Sequence, residues 1–263
     1  MKVFIVLAHP EPQSVNGSLF QVTINELKSQ GHQVRTSDLY AMKWKSEIDR
    51  ADFPNHPVDA RLRPAFASAE AYASNTLTDD VKAEQEKLLW ADTVIFHFPL
   101  WWYSMPAILK GWFERVYSLG FAYGMGEYNE KHWGDRYGEG PFVNKRAMLV
   151  VTVGGWTDHY SARGITGPID DVLYPVNHGL LYYSGFQVLP SHIVYRSDRM
   201  DEITFQKEAG TLQEKLRALE TTEPIAYRAQ NGGDYEIPAL TLKPGLDGDS
   251  TVAGFSLHIR NND

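Results

Sequence analysis

The sequence predicts an α/β fold: a doubly wound, five-stranded parallel sheet in the order 2-1-3-4-5, with an irregular C-terminal extension. Three observations predict it. Val3–Leu7 and Ala147–Val153 are continuous apolar runs and Thr93–Phe96 is a short one, as in strands covered on both faces. Segments with helical spacing of apolar residues alternate with such runs, so the chain reads strand, helix, strand, helix up to a fifth strand. The stretch Phe96 to Tyr117 holds one whole unit of this pattern: a strand end, an aromatic break, and a helix.

Strand one, Val3–Leu7, ends in a loop from Ala8 to Ser18. Pro10 and Pro12 keep that loop extended. Ser14, Asn16 and Ser18 are all good helix N-caps, and a helix to about Lys28 follows. Gly31 ends it. Gln33–Leu39 is strand two. Residues 40–78 are polar and irregular, with a short helix near Ala65 to Tyr72. Thr78-Asp79-Asp80 caps a helix through about Trp90, its acidic residues placed where the helix dipole favours them. Strand three is Thr93–Phe98. Pro106 opens the next helix at its first position, where a missing N–H costs nothing. Ile108, Leu109, Trp112, Phe113, Val116 and Tyr117 form its buried face. Gly120 to Gly140 is too long for a simple connection and reads as a lid or an interface element. Strand four, Ala147–Val153, ends at Gly154-Gly155. A helix follows Pro168, broken or kinked near Pro175. Strand five begins at Phe186–Leu189 and resumes at His192–Tyr195. Asp201–Leu219 is a charged amphipathic helix. Length and spacing favour the flavodoxin-like strand order. The expected division is a domain over 1–222 and an extension over 223–263 that lies on something larger, such as a second subunit.

The chain has 263 residues, a net charge of −8 and no cysteine. One large domain with an appendage fits that length. Disulfides, thiolate chemistry and Cys-ligated zinc are excluded. No basic patch stands out, which argues against nucleic acid as the partner. The apolar run at the N-terminus is too short for a signal peptide, and no run is long enough to cross a membrane. A cytoplasmic protein is expected.

There is no Gly-x-Ser-x-Gly elbow, no Walker loop, no Gly-x-Gly-x-x-Gly after a strand and no His-Glu-x-x-His. Three loops at the carboxyl ends of strands remain, where ligands bind in open α/β sheets. The first is rich in hydroxyl and amide groups at a helix N-terminus, a phosphate cradle or simply a capped loop. The second, Pro99 to Met105, carries Trp101, Trp102 and Tyr103, which suit a flat conjugated ligand or ordinary burial. The third has the two glycines, a tight turn or a close approach of backbone to ligand. Together they suit a nucleotide with a flat ring, hence a flavin. The nine histidines are scattered and read as structural or surface residues.

Val6-Leu7-Ala8-His9, Phe98-Pro99-Leu100, the block Pro106-Ala107-Ile108-Leu109-Lys110-Gly111-Trp112-Phe113-Glu114-Arg115-Val116, Gly140-Pro141-Phe142, Thr152-Val153-Gly154-Gly155 and Gly185-Phe186-Gln187-Val188-Leu189 carry a resemblance. The chain resembles the NAD(P)H:quinone oxidoreductase (DT-diaphorase) family over about residues 1–220. The resemblance implies a homodimer that binds FAD and reduces quinones by two electrons, with NADH or NADPH as donor and ping-pong kinetics. It implies that the flavin phosphates sit on His9, Ser14, Val15 and Asn16. The ring would lie against Pro99, Leu100, Trp102 and Tyr103, and against Thr152, Gly154, Gly155 and Tyr160. A partner subunit would close the substrate pocket with Tyr123, Met125 and Tyr183. The family's Tyr–His pair near the flavin is matched by Tyr160, but the His position is Thr166, whose hydroxyl takes up no proton near neutral pH. Tyr160 and the Gly154 and Gly155 backbone are then expected to stabilise charge developing at the ring, with His159 as the rival. Trp102 and Thr166 also belong to the expected pocket. Met125 replaces a usual aromatic, and the stretch from Gly124 to Gly140 is longer than the family's. Other readings on the same scaffold are an FMN-dependent azoreductase or nitroreductase, a regulatory flavoprotein subunit of a potassium-efflux system, and a flavodoxin-like electron carrier.

Overall fold

Backbone pairing realises the strand order read from the sequence. In the computed structural model, which describes residues 1–246 and 254–260, β1 (Lys2–Leu7) lies between β2 (Gln33–Asp38) and β3 (Thr93–Pro99), and β4 (Arg146–Val153) lies beyond β3. The fifth position is one strand in two pieces, β5 (Gln187–Val188) and β6 (His192–Tyr195), both parallel to β4. Pro190 stands between them and has no N–H for the ladder. Leu7 pairs with His97, and Pro99 with Thr152, so the carboxyl ends of the central strands come out side by side.

Strand residues alternate between two apolar layers, which is why the runs are continuous. Phe4, Val6, Phe96, Phe98, Leu149 and Val151 face the helices α3 (Asp79–Trp90) and α4 (Ala107–Val116). Val3, Ile5, Ile95, Met148 and Val150 face α1 (Val15–Ser29) and α6 (Glu202–Arg217). Ser14 caps α1, its hydroxyl accepting the Gly17 N–H at 3.1 Å. Asp201 caps α6 through the Thr204 N–H at 2.8 Å. One helix start differs from the sequence reading: Pro106 is the cap of α4 rather than its first residue. Thr78 caps α3 as read, with Asp79 and Asp80 in the first turn, though without a side-chain cap bond. The helix after Pro168, α5 (Ile169–Val176), is not broken at Pro175; it runs into a wider π turn over Asn177–Tyr182.

The irregular region after β2 holds a short 3₁₀ turn, Arg50–Asp52, and the helix α2 (Pro64–Ala73). Buried charge pins it to α4: Arg115 Nε donates to Asp52 at 2.8 Å, and its other arm reaches Asp80 at 2.7 Å. Gly111 permits the approach, since a Cβ there would fall 1.7 Å from the Ser46 carbonyl oxygen. The C-terminal extension was expected to lie on a larger body. Much of it lies on its own chain: Ile225 N–H donates to the Val188 carbonyl, Tyr227 and Gln230 are buried, and β7 (Tyr235–Glu236) pairs antiparallel with β8 (Thr241–Leu242). The rest of the extension, 247–253 and 261–263, falls outside the described residues. Among the described residues, no helix is long and apolar enough to cross a membrane.

Candidate functional site

The carboxyl ends of β1, β3, β4 and β6 open onto a cavity of about 550 Å³. His9, Ser14, Val15 and Asn16 line it from the first loop, Pro99 and Leu100 from the loop after β3, and Thr152 and Gly154 from the end of β4.

In the first loop the N-terminus of α1 faces the cavity, and the leading N–H groups of any helix lack intrahelical partners. The His9 Nδ1 stands 3.0 Å from the Glu11 nitrogen and 3.2 Å from the Glu11 carbonyl oxygen, and the tautomer decides which of the two it engages. Burial lowers the His9 pKa, only partly offset by the Glu11 carbonyl and carboxylate, so the ring is a neutral donor near pH 7. The Asn16 amide donates to the Thr152 hydroxyl and so joins the first loop to β4. Its Oδ1 is buried and has no partner.

The loop after β3 is a tight turn closed by paired backbone bonds between Trp101 and Ser104. Trp102 and Tyr103 sit at its tip with φ of 50° and 62°. That left-handed region is a strained place for bulky side chains. Trp102 is 96 % exposed and Tyr103 is 62 % exposed, so among the described residues the Trp102 ring is left bare and the Tyr103 ring mostly so. Trp101 lines the cavity and packs at 5.8 Å on the His9 ring.

After β4 the two glycines have different tight neighbours. A Cβ on Gly154 would lie 2.8 Å from Asp198 Oδ2, and one on Gly155 would lie 2.8 Å from the Tyr160 ring. Tyr160 therefore stands against the glycine turn. Burial, then the nearby Tyr103, raises its pKa, so it keeps its proton at neutral pH. Thr166 closes this loop, its N–H donating to the His159 carbonyl at 3.1 Å.

Trp102, Tyr103, Gly155 and Tyr160 stand outside the wall of the 550 Å³ cavity. Tyr123 and Tyr183 are elsewhere: they line a separate cavity of about 380 Å³ with Phe113, Tyr117 and Leu180. Met125 lines neither; its carbonyl accepts the Asp135 N–H at 2.9 Å. Sequence reasoning missed two wall residues of the larger cavity, Ser197 and Asp198, and gave no cofactor contact to Gln13 or Trp101 within the two loops it named. Ser197 and Asp198 follow β6 after Arg196, which adopts φ 56° with its guanidinium 3.9 Å over Trp156. Their place just past the carboxyl end of the last strand was the one available signal.

Comparison with known proteins agrees with the strand order and fold. The model of the flavodoxin-like fold family matches residues 1–216. A ribosyldihydronicotinamide dehydrogenase-like protein of Penicillium crustosum is 60 % identical over 260 residues, 99 % of this chain and 96 % of that one. NAD(P)H dehydrogenase [quinone] 1 of Rattus norvegicus is 42 % identical over 195 residues, 74 % of this chain and 68 % of that one. A solved Klebsiella pneumoniae structure, of a protein proposed to be a quinone reductase, superposes with a TM-score of 0.95 at 56 % identity, covering 98 % of this chain and 99 % of that one. The chain belongs to the NAD(P)H dehydrogenase (quinone) family of the flavodoxin-like fold.

Proposed function

We propose that this protein is an FAD-dependent NAD(P)H dehydrogenase (quinone) that works as a homodimer. The observation that carries the reading is the pairing of two features at one sheet end. A polar cavity sits on a helix N-terminus, and beside it two exposed aromatic residues are held in strained left-handed conformations. Strain of that kind persists where the surrounding structure imposes it, and it clusters at ligand sites.

The donors fit a flavin nucleotide. The α1 N-terminus and the His9 ring suit phosphate oxygens. The unpartnered Asn16 Oδ1 needs a donor, which the hydroxyls of a sugar chain offer and a phosphate does not. Asp198 and Ser197 add further polar groups on the far wall. Pro99, Leu100, Trp102 and Tyr103 would flank the ring, with Thr152, Gly154, Gly155 and Tyr160 on the β4 side. When bound, the flavin supplies two-electron hydride chemistry, taken from NADH or NADPH and given to a quinone in ping-pong order. The chain supplies position and charge. Glycines at 154 and 155 let backbone come close, and the protonated Tyr160 hydroxyl donates toward negative charge developing nearby. Thr166 cannot act as a proton store, so no titrating imidazole is built into that position.

The dimer is supported by what one chain leaves apart. Tyr123 and Tyr183 line a different cavity from His9 and Asn16, so a second copy would have to bring them to the cofactor. The bare Trp102 ring and Ile165, which is 97 % exposed, are candidates for what that copy covers.

The test is anaerobic. The purified protein is titrated with NADH while its absorbance is followed, and the flavin released on denaturation is identified by chromatography. Rapid bleaching with release of FAD is the expected result. Release of FMN would favour the azoreductase reading, and failure to bind any flavin would remove the cofactor assignment.

A further inference from the structure

The long stretch between Gly124 and Gly140 carries a second cluster of chemistry-bearing groups, separate from the proposed cofactor cavity. His132, Asp135 and Glu139 bring one imidazole nitrogen and two carboxylate oxygens within 4.8 Å of one another. His132 Nε2 is 2.8 Å from Asp135 Oδ1 and 3.8 Å from Glu139 Oε2. We propose that this cluster is a binding site for Zn²⁺ or a related first-row divalent ion.

The donor set selects the metal class. Imidazole nitrogen suits Zn, Cu, Ni and Fe, whereas an all-oxygen set would suit Mg or Ca. With metal–ligand bonds of about 2.0–2.2 Å, donors should stand roughly 3–4 Å apart. The observed spacings need only small adjustments. All three side chains are half-exposed, which leaves an entry path and room for a water ligand.

Charge gives an independent argument. Among the described residues, no lysine or arginine pairs with Asp135 or Glu139 within 4.0 Å; the His132 imidazole is the one basic group that near to each. Two carboxylates that converge on one imidazole are short of positive charge, and a divalent ion supplies it.

The ligands are also held from behind. Asn231 Nδ2 donates to Glu139 Oε2 at 2.6 Å, and its Oδ1 accepts the Trp133 N–H at 3.1 Å. Such outer partners orient metal ligands. Gly126 (φ 83°) leaves the slot that Asp135 fills, since a Cβ there would lie 2.1 Å from Asp135 Oδ1. The ion would therefore tie the stretch to the C-terminal extension through Asn231. It would also fix the segment that carries Met125, because Asp135 N–H donates to the Met125 carbonyl and Gly134 N–H to the Glu127 carbonyl. None of this depends on the proposed reaction.

The test uses the full chain stripped with a chelator. Zn²⁺ binding is measured by equilibrium dialysis, and Co²⁺ is added as a spectroscopic probe for ligand-field bands. One ion per chain is expected. His132→Gln and Glu139→Gln should each weaken binding at least about 10-fold, and Asn231→Ala, which removes an outer partner, about 10-fold. His159→Gln, an exposed histidine outside the cluster, should leave binding unchanged. Far-UV circular dichroism confirms that each variant is folded. Unchanged affinity in folded His132→Gln and Glu139→Gln, or no binding to the wild-type chain at millimolar Zn²⁺, would overturn the site.

Discussion

Two cavities of this chain, the one at the strand ends and the one around Tyr123, differ in how they are made. The larger is built where strands end: helix α1 points its free N–H groups at it, and backbone turns bring Thr152, Gly154, Ser197 and Asp198 to its wall. The smaller is built from side chains between helices, with Phe113, Tyr117, Tyr123, Leu180 and Tyr183 around it. A polar cradle without an apolar cover, and an apolar wall without a cradle, are two halves of one kind of site for an amphipathic, flat-ringed ligand. On the proposed function, the difference assigns each chain the parts of such a site and leaves their assembly to a second copy.

The strongest way to break that comparison is a complementation experiment. Gly155→Val drives a branched side chain into the Tyr160 ring. Misplacing the reacting region by about 1 Å costs roughly 100-fold in rate, so this variant should be nearly dead. Tyr183→Ala should keep its flavin but lose quinone reduction. After the two are unfolded and refolded together, random pairing should restore roughly one quarter of the wild-type sites, because half of the dimers are mixed and each mixed dimer holds one intact site. Refolding that restores no activity would mean that each chain works alone, and the halves would not meet across an interface.

Next in size is Tyr160→Phe. Its hydroxyl is protonated at neutral pH, and burial, then the nearby Tyr103, raise its pKa further. A hydrogen bond to developing charge contributes about 1.5–3 kcal/mol. Stopped-flow measurement should show flavin reduction slowed about 10- to 100-fold with flavin content unchanged. A flat pH–rate profile between pH 6 and 8 in the wild type is the companion expectation, since Thr166 does not titrate there.

What was legible in the sequence follows from range. The strand order and the polar cradle could be read because they depend on local facts: apolar runs, caps such as Ser14, and position at a strand end. The strain at Trp102 and Tyr103 could not be read, because nothing in a Trp-Trp-Tyr sequence reveals φ. The same limit hid Asp198, which reaches the Gly154 backbone only after Arg196 turns left-handed. The ion pair from Arg115 to Asp52 spans 63 residues. No periodicity encodes it, so the region after β2 looked irregular apart from the short helix near Ala65 to Tyr72. The histidines looked scattered for a related reason: His132 gains meaning only with Asp135, Glu139 and the distant Asn231.

A smaller effect concerns the layer beneath the larger cavity. His97 is fully buried on β3 and both its ring nitrogens lack partners; it packs edge-on against Phe20 of α1 at 5.8 Å. Burial, and then the charge of His192, lower its pKa to about 3, and burial lowers that of His192 to about 4. The unfolded chain takes up these protons near the ordinary value of 6.5, while the folded chain refuses them until far lower pH. Stability is therefore complete above pH 6.5 and falls below it, by about 1.4 kcal/mol per pH unit for each such group. Urea melts at pH 7 and pH 5 should show this loss, and His97→Leu should reduce it without lowering stability at pH 7. Because both histidines lie on strands that lead into the larger cavity, acid should release flavin before it disturbs the aromatic wall around Tyr123.

The smallest expected change separates a structural cap from a phosphate ligand. The Ser14 hydroxyl accepts the Gly17 N–H, so Ser14→Ala should cost about 1 kcal/mol of stability in either case. Ser14→Asp keeps the cap but adds a negative charge at the helix N-terminus, where it stabilises the free helix. If that N-terminus holds phosphate, the same charge repels the ligand. The aspartate variant should then melt at least as high as the wild type without flavin, yet bind flavin more weakly than the alanine variant. Stability and affinity would move in opposite directions, which a loop that merely caps a helix cannot produce.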